Sequence, residues 1–452
     1  MIRNTLSVSA IALAVCLGSA QAETVFPANL VGHAFLPAAT FIDAPADAPE
    51  DARISGKFTT GSRVDAIGTV PGDTGAQHGK RTTGLSVPFE GQPIQGFSGF
   101  AMERAEDGST YVLTDNGFGT KANSPDALLF FHRVTPDFEA GSVAVNETIF
   151  LSDPDKKIPF RIAYEGTEQR YLTGADFDPE SIQLVNGDIW IGEEFGPYLI
   201  RATTGGKIIS VHQTMMDGAP LKSVDHPQMS GMSKAGTDWR VPRSGGYEGM
   251  ALQPGTNLLW AMLEKPLLGE DGAPVGNHLQ VLAFDPAKGE WTGEGFKLAL
   301  AEGATAIGDF NFIDETRALV IERDNGEGDP SLKCEGEAQP DCFPSPAMLK
   351  RIVLIDTASV DEDGFVRRIG HIDLMDIADP DGKSRIETAS KRDLEGVMTF
   401  PFFTIENVMA VSDTEIMVAM DNNLPFSSGR TLDKAADNEF VLLDVSEMLA
   451  AK

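Results

Sequence analysis

Five times along this 452-residue chain the same unit recurs. An acidic or small polar residue beside Gly or Phe opens a hydrophobic strand, a turn follows, and a second hydrophobic strand ends in an acid. The openings are Ser98-Gly99-Phe100, Glu180-Ser181-Ile182, Glu248-Gly249-Met250, Asp309-Phe310-Asn311 and Glu395-Gly396-Val397. The matching ends are Thr114-Asp115-Asn116, Gly192-Glu193-Glu194, Leu263-Glu264-Lys265, Ile321-Glu322-Arg323 and Met420-Asp421-Asn422. Carboxylates at equivalent points of repeated hairpins make sense if the repeats converge. In a ring of sheets those strand ends meet at one mouth, which is then crowded with carboxylates.

Each unit continues into a third apolar strand, as in Phe130–Val134, Leu279–Asp285 and Leu349–Asp356, and most continue through a Gly turn into a fourth. Four antiparallel strands repeated radially form a β-propeller blade. The long amphipathic periods of βαβ units are missing, which argues against a barrel or dinucleotide-binding sheet. The openings lie 61 to 86 residues apart, more than the ~40–50 of compact propeller repeats. Insertions are therefore expected, notably at 213–245 and 324–347. The last unit stops at its third strand near Asp444. The N-terminal region reads as a degenerate sixth blade, with shared strands closing the ring. The expectation is an all-β chain with one propeller over 23–452 and six blades, five or seven remaining open.

The first 22 residues read as a secretory signal: Arg3, an apolar run from Leu6 to Leu17, and Ala20-Gln21-Ala22 as the cleavage site. Export to the periplasm or medium is expected, with no membrane insertion, since no other run approaches ~18 apolar residues. Losing one Arg and no acid takes the net charge from −31 to −32. That surplus repels nucleic acid and leaves a small molecule as the expected partner; a monomer is expected. Cys334 and Cys342 are then the only cysteines and bracket a short polar loop. In an exported chain they read as a disulfide, the alternative being a redox or metal pair.

Familiar catalytic motifs are absent: Gly96-Phe97-Ser98-Gly99-Phe100 misses a nucleophile elbow at its last position, and no H-E-x-x-H or phosphate-binding glycine loop occurs. The carboxylates carry the signal. Asp115, Glu180, Glu194, Glu248, Glu264, Asp309, Glu322, Glu395 and Asp421 are candidate metal ligands, with Glu248 and Glu395 also candidate catalytic groups. Packed into one mouth they would repel one another unless a cation neutralised them. Hard oxygen ligands suit calcium. The alternative is that the acids cap turns. Lys265 and Arg323 stand directly beside acids and could grip an oxyanion, or merely form local ion pairs. Arg201, Asn116 and Asn422 complete the candidate substrate contacts. The run Asp324-Asn325-Gly326-Glu327-Gly328-Asp329 is calcium-like in composition but lacks EF-hand spacing.

Taken in order, Phe97-Ser98-Gly99-Phe100, Leu113-Thr114-Asp115-Asn116-Gly117, Asp178-Pro179-Glu180-Ser181, Gly192-Glu193-Glu194-Phe195-Gly196, Tyr247-Glu248-Gly249-Met250, Ile321-Glu322-Arg323-Asp324 and Asp421-Asn422-Asn423-Leu424-Pro425-Phe426 resemble the phytase-like family, also described as esterase-like activity of phytase. The resemblance runs from about Gly96 to Asp444. It implies an exported, calcium-dependent propeller that hydrolyses phosphoesters or other esters. Basic residues are few beside the Lys- and Arg-rich phosphate site of β-propeller phytases, which argues against substrates carrying many phosphates. A carboxylic-ester or lactone hydrolase and a calcium-stabilised binding module are the competing expectations.

Overall fold

The computed structural model describes residues 23–386 and 395–452, so the expected leader lies outside the described residues. Five units of the repeated kind are present, the first and fifth joined into one sheet where Ser142 pairs with Phe35. The first blade runs through Phe97–Phe100, Thr110–Thr114, Phe130–Asp137 and Ser142–Phe150. The second is Pro179–Val185, Asp188–Glu193, Tyr198–Thr203 and Ile208–Gln213. The third is Tyr247–Leu252, Leu259–Leu263, His278–Asp285 and Glu290–Ala299. The fourth is Ala306–Phe312, Arg317–Arg323, Lys350–Val360 and Val366–Asp373, with Thr24–Val25 parallel to its outer strand. The fifth holds Ile405–Ala410, Glu415–Met420 and Asn438–Asp444.

The fourth strand of the fifth blade comes from the other end of the chain. Asn29–Leu36 pairs antiparallel with Asn438–Asp444, Leu30 opposite Leu443 and Ala34 opposite Phe440. The innermost strands pack against one another in order, first to second and on to the fifth, which returns to the first. The fold is a β-propeller closed by sharing one N-terminal strand. The expected sixth blade is not formed among the described residues. The stretch after Leu36 makes only two-stranded pieces, such as Val70–Asp73 with Thr82–Val87.

Blades lie face to face, so the middle strands are buried on both sides and read as continuous apolar runs. Ala318-Leu319-Val320-Ile321 is wholly buried: Val320 packs with Phe310, Val281 and Met262 towards the third blade, while Leu319 and Ile321 pack with Val408 and Val418 towards the fifth. Outer strands have one wet side, and Ser142–Phe150 alternates accordingly. Cys334 and Cys342 are disulfide-bonded within the fourth-blade insertion. Among the described residues no helix is long and apolar enough to cross a membrane.

Candidate active site: a carboxylate mouth on the propeller axis

The innermost strands share a register fault, and it builds the site. In the second blade Pro179 faces Glu193 and Ser181 faces Gly192, so Glu180 is an extra residue. Glu248 occupies the same position in the third blade and Glu406 in the fifth. In the first blade the pairing shifts between Phe97 and Phe100, around Ser98. A bulge bends its strand and re-aims the extra side chain. Here it brings oxygens of Glu180, Glu248 and Glu406 within 4.8 Å of one another. Ser98 Oγ donates to Glu180 Oε2 at 2.7 Å. The fourth blade has Gly308 at the bulge. A Cβ there would sit 1.8 Å from the Ile405 carbonyl oxygen, so no side chain fits.

A second tier comes from the residue following each strand-end partner of the bulge. Those residues are Asp115, Glu194, Glu264, Arg323 and Asp421, and all line one cavity of about 320 Å³. Asp178, just before the second bulge, joins them. Asp178, Glu180 and Glu194 form a second oxygen triad that shares Glu180 with the first. Only the fourth blade contributes no acid. Its Arg323 is buried, donates through Nη2 to Glu264 Oε1 at 2.8 Å, lies 3.9 Å from Glu406 Oε1 and covers the Phe403 ring at 5.2 Å. Lys265 Nζ meets the other oxygen of Glu264 at 2.9 Å.

Eight carboxylates thus face two cations, and the electrostatics follow. Burial first, then neighbouring carboxylates, pushes Asp115, Glu180, Glu194, Glu248 and Glu406 well above the usual carboxylate range. Burial pushes Asp178 up to about 7 and Asp421 up to about 6. Glu248 Oε1 is buried without a hydrogen-bond partner. An orphaned carboxylate oxygen inside an all-oxygen cluster is what a hard divalent cation would satisfy. The residues present therefore fit a hard divalent cation, which Asp178, Glu180, Glu194, Glu248 and Glu406 would hold.

Of the residues singled out from the sequence, Asp115, Glu180, Glu194, Glu248, Glu264, Asp421, Arg323, Lys265 and Asn116 line the mouth. Asp309 does not. It lies one residue past the bulge, and it accepts from Val408 N at 2.8 Å and Phe310 N at 2.7 Å, tying the fourth and fifth inner strands together. Glu322, one residue before Arg323, bonds instead to Arg368 at 2.9 Å and to the Ala301 amide. Glu395 is exposed beside the short strand Val397–Met398, outside the mouth. Arg201 pairs with Asp188 and lies over Trp190. Asn422 Oδ1 accepts from Gly96 N and its Nδ2 donates to the Ala436 carbonyl. In the Asp324–Asp329 run, Asp324 accepts backbone amides and pairs with Lys350, while Glu327 pairs with Arg81.

Sequence reasoning missed Glu406 and passed over Asp178. Bulge and tier residues lie 14 to 17 apart in every blade, as in Glu180 to Glu194 or Glu406 to Asp421. Glu395 is 26 residues from Asp421, and that spacing could have exposed the error.

The sequence profile described as "Phytase-like: Esterase-like activity of phytase" matches residues 92–424. The chain belongs to the phytase-like family. The matched stretch contains all five inner strands of this phytase-like propeller and both tiers of its mouth. No curated protein matches the sequence. Among solved structures, it is similar to a GH43 endo-arabinanase from Bacillus licheniformis, at 9% identity over 77% of this chain and 94% of that one, TM-score 0.34. A Bacillus subtilis arabinanase gives 11% identity over 77% and 94%, TM-score 0.35. A protein of unknown function from Dyadobacter fermentans gives 9% over 92% and 99%, TM-score 0.37.

Proposed function

We propose that this phytase-like protein is an exported, calcium-dependent hydrolase of small phosphoesters. The observation carrying this reading is that two carboxylate triads sharing Glu180 open into the same cavity as Arg323 and Lys265. A divalent cation bound there supplies a water of lowered pKa and neutralises phosphoryl oxygens. Arg323 and Lys265 orient those oxygens from one wall, and Glu264 holds both cations in place. Phe403 fixes the plane of the guanidinium. Glu248 adds its unpartnered Oε1 to the oxygens that would hold that cation. The excess of acids over bases favours substrates with a single phosphoryl group. Export rests on the leader sequence, and the disulfide is consistent with an oxidising compartment.

The same excess favours a second reading, hydrolysis of a neutral carboxylic ester or lactone, which needs no anion site. Purified protein is assayed on phosphomonoester, phosphodiester and carboxyl-ester substrates, each with calcium and with chelator. Calcium-dependent turnover of the phosphomonoester, lost in chelator, is expected. Turnover confined to carboxyl esters transfers the conclusion to the second reading. No turnover of any substrate leaves a calcium-stabilised binding module.

A further inference from the structure

The calcium-like run Asp324-Asn325-Gly326-Glu327-Gly328-Asp329 spends its carboxylates on the protein itself. Asp324 accepts from the amides of Gly326, Met348 and Leu349 at 2.8 to 3.0 Å. Glu327 accepts from Arg81 at 3.1 Å and from the Ser428 amide at 2.9 Å, and Asp329 from the Ser331 amide at 2.8 Å and Thr399 Oγ1 at 2.9 Å. These bonds fix the loop. The one residue of the run that lines the mouth is Asn325, exposed beside Arg323. Its backbone is pinned on both sides. Buried Lys350 donates to the Asp324 carbonyl at 2.8 Å, and a Cβ on Gly326 would collide with the Pro346 carbonyl. Lys350 also donates to the Phe403 carbonyl at 3.3 Å, so one ammonium ties the turn carrying Asn325 to the ring against the Arg323 guanidinium.

Neighbours set the orientation of the Asn325 amide. A guanidinium has donors only, and Arg323 Nη1 lies 3.3 Å from one polar atom of this side chain, which is therefore the oxygen. Thr305 Oγ1 donates to the same Oδ1 at 2.9 Å, and the Thr305 amide is itself bonded to the Arg323 carbonyl at 2.9 Å. With two donors on Oδ1, Nδ2 has no partner among the described residues, and its hydrogens are left for the cavity. A further cation in this mouth of carboxylates would be drawn into an ion pair. A neutral amide is not, and it still donates to an anion.

We propose that Asn325 is a substrate-binding residue whose Nδ2 donates to a phosphoryl oxygen beside Arg323, and that Thr305 is the positioning residue that turns the amide towards the cavity. The inference rests on the mouth being the phosphoester centre, and it adds one neutral donor to the two cations of that wall.

The test separates anion binding from chemistry. Methylphosphonate presents the same oxygens but has no ester bond to cleave. It is titrated calorimetrically, with calcium present, into wild type, Asn325→Ala, Thr305→Val and Thr305→Ser, after melting curves show each to be folded. Asn325→Ala should bind about tenfold more weakly, as expected for losing one hydrogen bond to a charged group. Thr305→Val keeps the shape but drops the hydroxyl and should lose about threefold, which Thr305→Ser should regain. The kcat/KM for methyl phosphate should fall in parallel across the series. Phosphonate binding that depends on Asn325, with no phosphomonoester hydrolysed, supports the contact and removes the hydrolase reading. Equal binding by wild type and Asn325→Ala, or no binding by wild type, overturns the proposal whether or not esters are cleaved. A Thr305→Val variant that binds as tightly as wild type overturns the positioning role.

Discussion

Replacing Arg323 by Ala removes the one buried cation from a mouth of carboxylates. Arg323 is 4% exposed, and it holds Glu264 at 2.8 Å and faces Glu406 at 3.9 Å. Breaking a buried ion pair by deleting one partner costs about 3–5 kcal/mol, because the surviving charge is left buried. Unfolding entropy of about 2.1 cal/mol/K per residue gives roughly 0.9 kcal/mol/K for about 430 residues, so Tm should drop by about 3–6 °C. The cause is checked by a cycle with Glu264→Gln, measured by calorimetry in excess chelator. If Arg323 stabilises through Glu264, the double variant loses about 2 kcal/mol less than the sum of the single losses. Additivity within about 0.5 kcal/mol would refute the argument, since the pair would then contribute nothing of its own.

Glu406→Gln should weaken calcium binding at least tenfold by calorimetric titration, whereas Glu395→Gln, at an exposed position outside the mouth, should match wild type. Equal effects would place the fifth-blade ligand wrongly. Replacing Cys334 and Cys342 by Ser should cost about 2–3 kcal/mol by loop entropy, read from chemical denaturation, and denatured unreduced wild type should show no free thiol. Burial pushes Asp309 from 3.8 up to about 7. The folded state therefore holds a proton that the unfolded chain releases, and this residue makes stability fall as pH rises from about 4 through about 7. In chelator, Asp309→Asn should improve relative to wild type across that window and change no further above it; a flat difference in Tm would exclude the assignment.

The fold was legible because blades stack face to face and their middle strands are continuously apolar, as in Ala318–Ile321. Strand sharing was half legible. The fifth unit visibly lacked a fourth strand, but Asn29–Leu36 carries no acidic signature to mark it as the missing piece, so the N-terminal region read as a sixth blade. In the site, the misplacements of Asp309 and Glu322 share one cause. A bulge shifts side-chain direction by one residue, and apolar patterning does not record it, so Asp309 was taken where Gly308 holds the bulge, and Glu322 was taken along with Arg323 although only Arg323 reaches the mouth. Glu395 misled because its Glu-Gly pair copies Glu248-Gly249, although a Cβ on Gly249 would sit 2.7 Å from Phe310 Cβ and one on Gly396 would meet nothing closer than 3.5 Å.

The central claim is that bulges in separate blades aim carboxylates at one axial cation site. Glu180 belongs to both triads, so the most direct measurement is calcium stoichiometry and affinity of wild type and Glu180→Gln, by elemental analysis and calorimetric titration after chelator treatment. Wild type should retain calcium, bind it again when it is returned and melt at a higher temperature with it. Glu180→Gln should fold but lose most of that affinity. No calcium recovered from wild type, with a melting transition indifferent to chelator and calcium alike, would contradict the account.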